Sequence, residues 1–135
     1  MIPQPSQALT DLAIRLALQV APNTTAPFYG ADAGLIAQLM FTLGQEFERA
    51  VQARMQDIDD IKTLFASAPA SDERRAYQLK QPASLHLNDV NALHDEGSRL
   101  LIELHAWAET NSEAVNAAIC AYLRRHTERH KFDMP

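Results

Sequence analysis

The sequence predicts an all-α protein: a bundle of four main helices, one of them very long, plus a short extra helix. Two observations lead to this prediction. Apolar residues recur every three to four positions through most of the chain, which is the helical period. The composition is rich in alanine, leucine and glutamine, which favour helix, and the four glycines leave little material for tight hairpins. At 135 residues the chain is expected to form a single domain, residues 1–135.

Composition and charge exclude several classes of function. The net charge of −5 argues against general nucleic-acid binding, since Arg74–Arg75 and Arg124–Arg125 are only short basic spots. The single cysteine, Cys120, cannot form an internal disulfide or a cysteine-rich metal site. Asp11 and Arg15 interrupt the apolar N-terminal segment, so neither a signal peptide nor a membrane span is predicted. We therefore expect a cytoplasmic protein that does not bind membranes.

The first predicted helix is apolar on two sides. Ser6 is its expected N-cap and it runs to about Val20. Ile14 and Leu18 lie nearly opposite the main apolar stripe, so this helix is either sandwiched in the core or shared with another subunit. We therefore predict a homodimer formed through this helix and part of the long one, with no other protein partner identified.

A loop over residues 21–30 is expected next, followed by the very long helix at about 32–67. Phe28 and Tyr29 are expected to hold the loop against the end of the bundle, and Asp32 to cap the helix. The helix carries one apolar stripe, nearly heptad in its second half. Its members are Ile36, Met40, Leu43, Phe47, Val51, Ile58, Ile61 and Phe65.

Two features of the long helix stand out from its pattern. A helix of this length is unusual, and Gly44 and Gln56–Asp57 are the candidate positions for a break. Arg54 lies in the seam, where an apolar residue is expected. Either its aliphatic stem packs while the guanidinium reaches solvent, or it forms a partly buried ion pair with Asp57 or another carboxylate.

The rest of the chain is predicted to contain one short and two longer helices. The short helix covers 72–79, and the longer ones cover about 88–110 and about 113–130. Asn88 is the expected N-cap of the first longer helix. Gly97 lies on that helix's buried face, where it is expected to permit the close approach of another helix.

Histidines on the last two helices form the candidate site. His126 and His130 are four residues apart and project from the same side of their helix. The short turn between the two helices makes them an antiparallel hairpin. Counting equal steps from that turn places His126 opposite His94 or Asp95, and His130 opposite Asn91. Neutral imidazoles are good ligands for zinc or another divalent transition metal, so His94, His126 and His130 are the predicted metal ligands.

The pattern also fits histidines at the edge of the core, since H-x-x-x-H alone is a weak signal. It is neither the HExxH pattern nor the Glu-x-x-His pair of di-iron bundles. His86 and His105 are expected to be structural or exposed. Glycine-rich phosphate loops and serine nucleophile motifs are missing from the sequence, so no catalytic residue is assigned.

Three functions remain open from the sequence. The leading prediction is a self-associating interaction or scaffold module without enzymatic activity. The alternative is a metal-binding helical bundle with the His94, His126 and His130 cluster, and the chemistry expected of such a site is hydrolytic or redox. A third is a phosphotransfer-type bundle with His94 as the phosphate acceptor, because a helical histidine followed by an acid loosely resembles the phosphoacceptor segment of histidine kinases.

Overall fold

The computed structural model describes residues 4–133, and every regular element in that range is helical. The elements are α1 (Pro5–Arg15), α2 (Pro27–Ser67), α3 (Asp72–Leu79), α4 (Leu87–Asn111) and α5 (Glu113–Arg129). A π-helical turn, Leu16–Val20, and a 3₁₀ turn, Ala21–Asn23, connect α1 to α2. The predicted fold class is confirmed: four longer helices and one short one, with α2 running for 41 residues through both candidate break positions.

The chain divides into two compact units, and the boundary falls within α2. The described residues of Met1–Ala50 and Phe132–Pro135 form the first unit. Val51–Lys131 form the second, which contains the end of α2 together with α3, α4 and α5.

Small side chains bring α1 against α2 in the first unit. A Cβ atom at Gly44 would lie 3.2 Å from the Ser6 carbonyl oxygen and 3.3 Å from Thr10 Oγ1, so the glycine permits this close approach. Ala13 of α1 and Ala37 of α2 are buried. The contact therefore depends on small residues instead of the large apolar ones.

The first half of the predicted stripe on α2 is consequently not buried. Ile36, Leu43 and Phe47 are 43%, 57% and 62% exposed, whereas Ala37 and Ala50 are buried. Periodicity identifies the residues that share a helix face, but the position of α1 decides which face is covered. The prediction holds in the second unit, where Ile58, Ile61 and Phe65 of the same stripe are buried.

The boundaries of the first two helices differ from the prediction. α1 begins at Pro5 with Gln4 as the N-cap, so Ser6 is inside the helix, and regular α-helix ends at Arg15 instead of Val20. α2 begins at Pro27 because proline is already restricted to a helical φ and its missing N–H is not needed in the first turn.

The residues next to these boundaries are also placed differently. Asp32 lies inside α2 and does not cap it. Phe28 and Tyr29 are helical and 76% and 64% exposed, and they pack edge-to-face on each other instead of holding a loop against the bundle.

The start of α4 is also earlier than predicted. His86, not Asn88, is the N-cap, and no side chain caps the helix there. Ser84 organises the turn instead: its Oγ accepts from the His86 backbone N–H at 3.0 Å and donates to Asp89 Oδ2 at 2.5 Å. The other predicted bounds, for α3 and α5, agree with the structure to within one residue.

The second unit has a continuous apolar core. Its buried members come from all four helical segments: Ile58, Ile61, Leu64, Phe65, Tyr77, Val90, Leu93, Leu100, Leu101, Leu104, Ala108, Ile119 and Tyr122. The Tyr77 side chain crosses from α3 to α4, where its hydroxyl donates to the Leu93 carbonyl at 3.1 Å. Gly97 leaves the space for this ring. The prediction that Gly97 permits close approach is confirmed, with a tyrosine of α3 as the group that approaches.

Among the described residues, none of the helices combines the length and the apolar character needed to cross a bilayer.

Candidate metal centre

The last helix positions two histidines on neighbouring turns. Ser112 caps α5, with its Oγ accepting from the Val115 N–H at 3.3 Å. His126 and His130 follow near the end of α5, and their ring centroids are 4.5 Å apart. Both side chains are partly buried, at 34% and 23% exposure. The i, i+4 spacing therefore places both imidazoles on the face of α5 that turns inward.

Helix α4 brings the third histidine to the same place. The connection between α4 and α5 is the single residue Ser112, so the two helices form a hairpin. The His94 ring stacks on the His126 ring, with centroids 6.1 Å apart and planes inclined by 17°. All three histidines named from the sequence thus lie together, and His126 is opposite His94 as the step count from the turn predicts.

The centre of the cluster is Asp57 of α2, whose side chain is completely buried. One of its carboxylate oxygens, Oδ2, faces all three imidazoles. It lies 2.5 Å from His130 Nε2, 2.9 Å from His126 Nδ1 and 3.4 Å from His94 Nε2. The ligand atoms of Asp57, His126 and His130 therefore lie within 4.8 Å of one another, and His94 adds a further potential ligand beside Asp57 Oδ2.

The second oxygen of Asp57 is held by an arginine. Oδ1 accepts a hydrogen bond from Arg129 Nη1, and the other terminal nitrogen of Arg129 donates to Asp60 Oδ2 at 2.9 Å. Burial by itself lowers the pKa of Arg129, but its bonds to Asp60 and Asp57 outweigh this and raise the pKa. The arginine thus stays charged and fixes the orientation of the Asp57 carboxylate.

Asp57 remains ionised although it is buried. Burial alone would raise its pKa, but contacts with His94 and His130, the electrostatic interaction with His126 and the hydrogen bond from Arg129 hold the pKa well below its usual range. An ionised carboxylate is the form that coordinates a metal ion.

Tyr122 lies beside the cluster, and its ring centroid is 5.8 Å from that of His126. Burial, followed by the negative charge of Asp57, raises the pKa of its phenol above the usual value. The phenol is therefore neutral at physiological pH.

The donor set fits a divalent transition metal. Oδ2 has about two acceptor lone pairs, yet three imidazole nitrogens face it. His94 Nε2 is buried and has no hydrogen-bond partner among the described residues. Donors about 2.0–2.2 Å from a tetrahedral zinc ion are about 3.4 Å apart. The ligand atoms of Asp57, His126 and His130 lie within 4.8 Å of one another, so these three residues could hold the ion, and the His94 side chain would have to move toward them to become the fourth ligand.

The surroundings of the second ring nitrogen of His94, Nδ1, also resemble those of a metal-bound histidine. His94 Nδ1 lies 3.6 Å from Asp95 Oδ1, and a metal-bound histidine commonly directs its other nitrogen toward a carboxylate. Arg54, the anomaly of the α2 seam, lines a cleft beside the histidines together with Asn91 and Asp95.

Sequence reasoning missed Asp57 as a member of the site. The available signal was a carboxylate directly beside Ile58, inside an apolar seam, because a buried acid needs partners. The remaining histidines lie elsewhere, as expected: His86 is exposed, and His105 Nε2 is 3.1 Å from Asn116 Oδ1.

Comparison of the chain with protein-family models, with curated proteins and with solved structures finds no match, so the site is assigned from its own geometry.

Proposed function

We propose that the protein binds one divalent transition metal ion, zinc being the first candidate, through His94, His126, His130 and Asp57. The observation that carries this proposal is the convergence of three imidazole nitrogens on one buried carboxylate oxygen. Nitrogen and carboxylate ligands in this number suit zinc and its neighbours in the first transition row.

The competing explanation is a buried acid neutralised by hydrogen bonds alone. Arg129 together with His126 and His130 would suffice for that purpose. In that explanation His94 Nε2 has only its 3.4 Å contact with Asp57 Oδ2 and no hydrogen bond, and burying a polar nitrogen without a hydrogen bond costs about 1–3 kcal/mol. A metal ion gives this nitrogen a partner. The placement of His94, with 16% of its side chain exposed between Asp57 and Asp95, also favours a ligand over a phosphate acceptor.

Metal analysis tests the proposal. Untagged protein is stripped with a chelator, dialysed against zinc and analysed for bound metal, and its affinity is measured by competition with a coloured chelator. We expect one zinc ion per chain. His126→Gln and His94→Gln should each weaken binding by at least about 100-fold, because changes to outer-shell partners alone cost 10–100-fold.

The exposed His86 provides the matched control. His86→Gln removes a histidine outside the cluster and should leave the affinity unchanged. Circular dichroism verifies that each variant is helical. Stripped protein that takes up no zinc, or His126→Gln binding zinc as tightly as His86→Gln, would overturn the assignment.

A second candidate function, self-association, is favoured by the apolar surface of the first unit. Ten large apolar side chains on α1, its π-helical turn and the first part of α2 are about half exposed or more: Leu12, Ile14, Leu18, Val20, Phe28, Tyr29, Leu35, Leu39, Leu43 and Phe47. A groove of about 490 Å³ with an apolar lining lies between Ala13, Leu18 and Phe41. Such surfaces commonly mark protein interfaces. We propose that a second copy of the chain covers this one.

Light scattering over a range of concentrations tests self-association. Leu39→Glu places a charge on the proposed interface and should yield a monomer. Leu79→Glu is the control, because Leu79 is 87% exposed on α3 of the other unit. A wild-type monomer at every concentration, or a dimer that Leu39→Glu leaves intact, would contradict the proposal.

A further inference from the structure

His94 differs from the other three proposed ligands in its distance from a shared ion. The ligand atoms of Asp57, His126 and His130 lie within 4.8 Å of one another, and His94 does not belong to that set. Its Nε2 lies 3.4 Å from Asp57 Oδ2 and has to move toward the other ligand atoms to reach the same ion. Three ligands are therefore close enough to hold an ion, and the fourth joins them only by moving.

The three close ligands are also held by contacts of their own. Arg129 donates to Asp57 Oδ1 and so fixes the carboxylate while leaving Oδ2 to the histidines. His126 and His130 project from adjacent turns of α5, and both contact Oδ2, at 2.9 Å and 2.5 Å. By contrast, His94 Nε2 makes no hydrogen bond in the described part of the chain. His94 is thus the least firmly fixed ligand of the four.

A cleft of about 340 Å³ gives a small molecule access to the site on the side of His94. His94, His126 and His130 are among the residues that line it, whereas Asp57 is completely buried and does not. The volume is within the size range of sites for small molecules. An ion held by Asp57, His126 and His130 would border this cleft, so His94 and a molecule in the cleft would compete for its remaining position.

The chemistry of such an exchange selects the incoming ligand. Zinc commonly keeps one position for an exchangeable ligand where three protein side chains bind it. Zinc and its neighbours in the first transition row accept imidazole nitrogen readily. A neutral nitrogen donor would replace the neutral imidazole of His94 without changing the net charge of the site. The class of ligand expected is therefore a small molecule with one unhindered, neutral nitrogen donor, such as imidazole itself.

We propose that His94 is an exchangeable metal ligand, which a small neutral nitrogen donor entering from the cleft replaces on the metal ion. The bond from His94 Nε2 to the metal breaks and one bond from the incoming nitrogen forms, so the ion keeps four ligands and no proton or electron is transferred. This inference rests on the proposed metal site. By thermodynamic linkage, His94 opposes the incoming ligand by the same factor by which it strengthens metal binding.

Cobalt substitution tests the inference, because the visible spectrum of Co²⁺ changes when its ligands change. The stripped wild-type protein is loaded with Co²⁺ and titrated with imidazole at about pH 8, where imidazole is mostly neutral. Ultrafiltration verifies that the cobalt stays on the protein. We expect a saturable spectral change in which the intense bands of four-coordinate cobalt persist. Binding of imidazole as a fifth ligand would weaken these bands and would contradict the exchange.

Replacement of His94 gives the quantitative test. His94→Ala should weaken cobalt binding, and strengthen imidazole binding to the cobalt-loaded protein, by the same factor of about 100-fold. His86→Ala is the matched control, because His86 is an exposed histidine outside the cleft, and it should leave both affinities unchanged. Circular dichroism verifies that each variant is helical.

The outcomes distinguish the two proposals. If the wild-type protein binds no cobalt, the metal site and this inference are both overturned. If cobalt binds but imidazole leaves its spectrum unchanged, or binds His94→Ala no more tightly than His86→Ala, the metal site stands and the exchange is wrong. If His94→Ala does not fold or retains no cobalt, the wild-type titration decides through the persistence or loss of the intense bands.

Discussion

Replacing Gly97 with alanine tests how closely α3 packs on α4. A Cβ atom at this position would lie 2.2 Å from the Tyr77 hydroxyl oxygen and 2.6 Å from Tyr77 Cζ. Tyr77 is completely buried, and its hydroxyl bonds to the Leu93 carbonyl, so the ring cannot move without losing that bond. We therefore expect Gly97→Ala to destabilise the second unit.

The magnitude follows from three opposing effects. Alanine in a helix interior is more favourable than glycine by about 1 kcal/mol. Overpacking of a core costs about 1–3 kcal/mol. Displacing the buried tyrosine hydroxyl from its acceptor adds about 1–3 kcal/mol. The sum predicts that Gly97→Ala lowers the free energy of unfolding by about 1–5 kcal/mol.

Urea denaturation followed by far-ultraviolet circular dichroism measures this change. Gly34→Ala is the control, because a Cβ there meets no atom within 4 Å, and it should be neutral or stabilising by up to about 1 kcal/mol. In a Tyr77→Leu background the clashing ring atoms are missing, so Gly97→Ala should lose its penalty. A Gly97→Ala protein as stable as the wild type would refute the packing described here.

Two further predictions concern the metal centre and its surroundings. Arg129→Gln should weaken zinc binding by about 10–100-fold in the chelator competition, because Arg129 orients Asp57. Arg125→Gln is the control and should have little effect, since among residues 4–133 the ion pair of Arg125 is with Asp60, at 3.7 Å, and not with Asp57. The raised pKa keeps the Tyr122 phenol neutral in the folded protein at pH values at which the phenol of the unfolded chain ionises, above pH 10.0. The contribution of this pKa difference to stability is therefore complete below pH 10.0 and is lost as the pH rises further. Tyr122→Phe should therefore reduce the fall in urea midpoint above pH 10.0; equal slopes for both proteins would contradict the assignment.

Helical period and capping residues account for the part of the fold that the sequence predicts well. α3 and α5 begin after Ser71 and Ser112, whose side chains accept from the backbone N–H three residues later. These are interactions within one turn, so they depend on residues adjacent in the chain. The boundary of α2 was harder to predict, because both Pro27 and Asp32 are residues that commonly begin helices.

The histidine cluster was predictable in part for the same reason. His126 and His130 share a face through helical geometry alone, and the one-residue turn at Ser112 allows His94 to be placed opposite them by counting. Each step uses the period of a helix or the shortness of a loop.

Only the tertiary structure decided the rest. Asp57 is separated from its histidine partners on α5 by 69 and 73 residues, and no local rule relates positions that far apart. The same holds for burial in the first unit, where Ala37 is covered and Phe47 of the predicted stripe is exposed. By itself the sequence determined which residues share a helix face, because that follows from backbone geometry. The packing of helix on helix determined which faces are buried, and it placed a carboxylate at the centre of the three histidines.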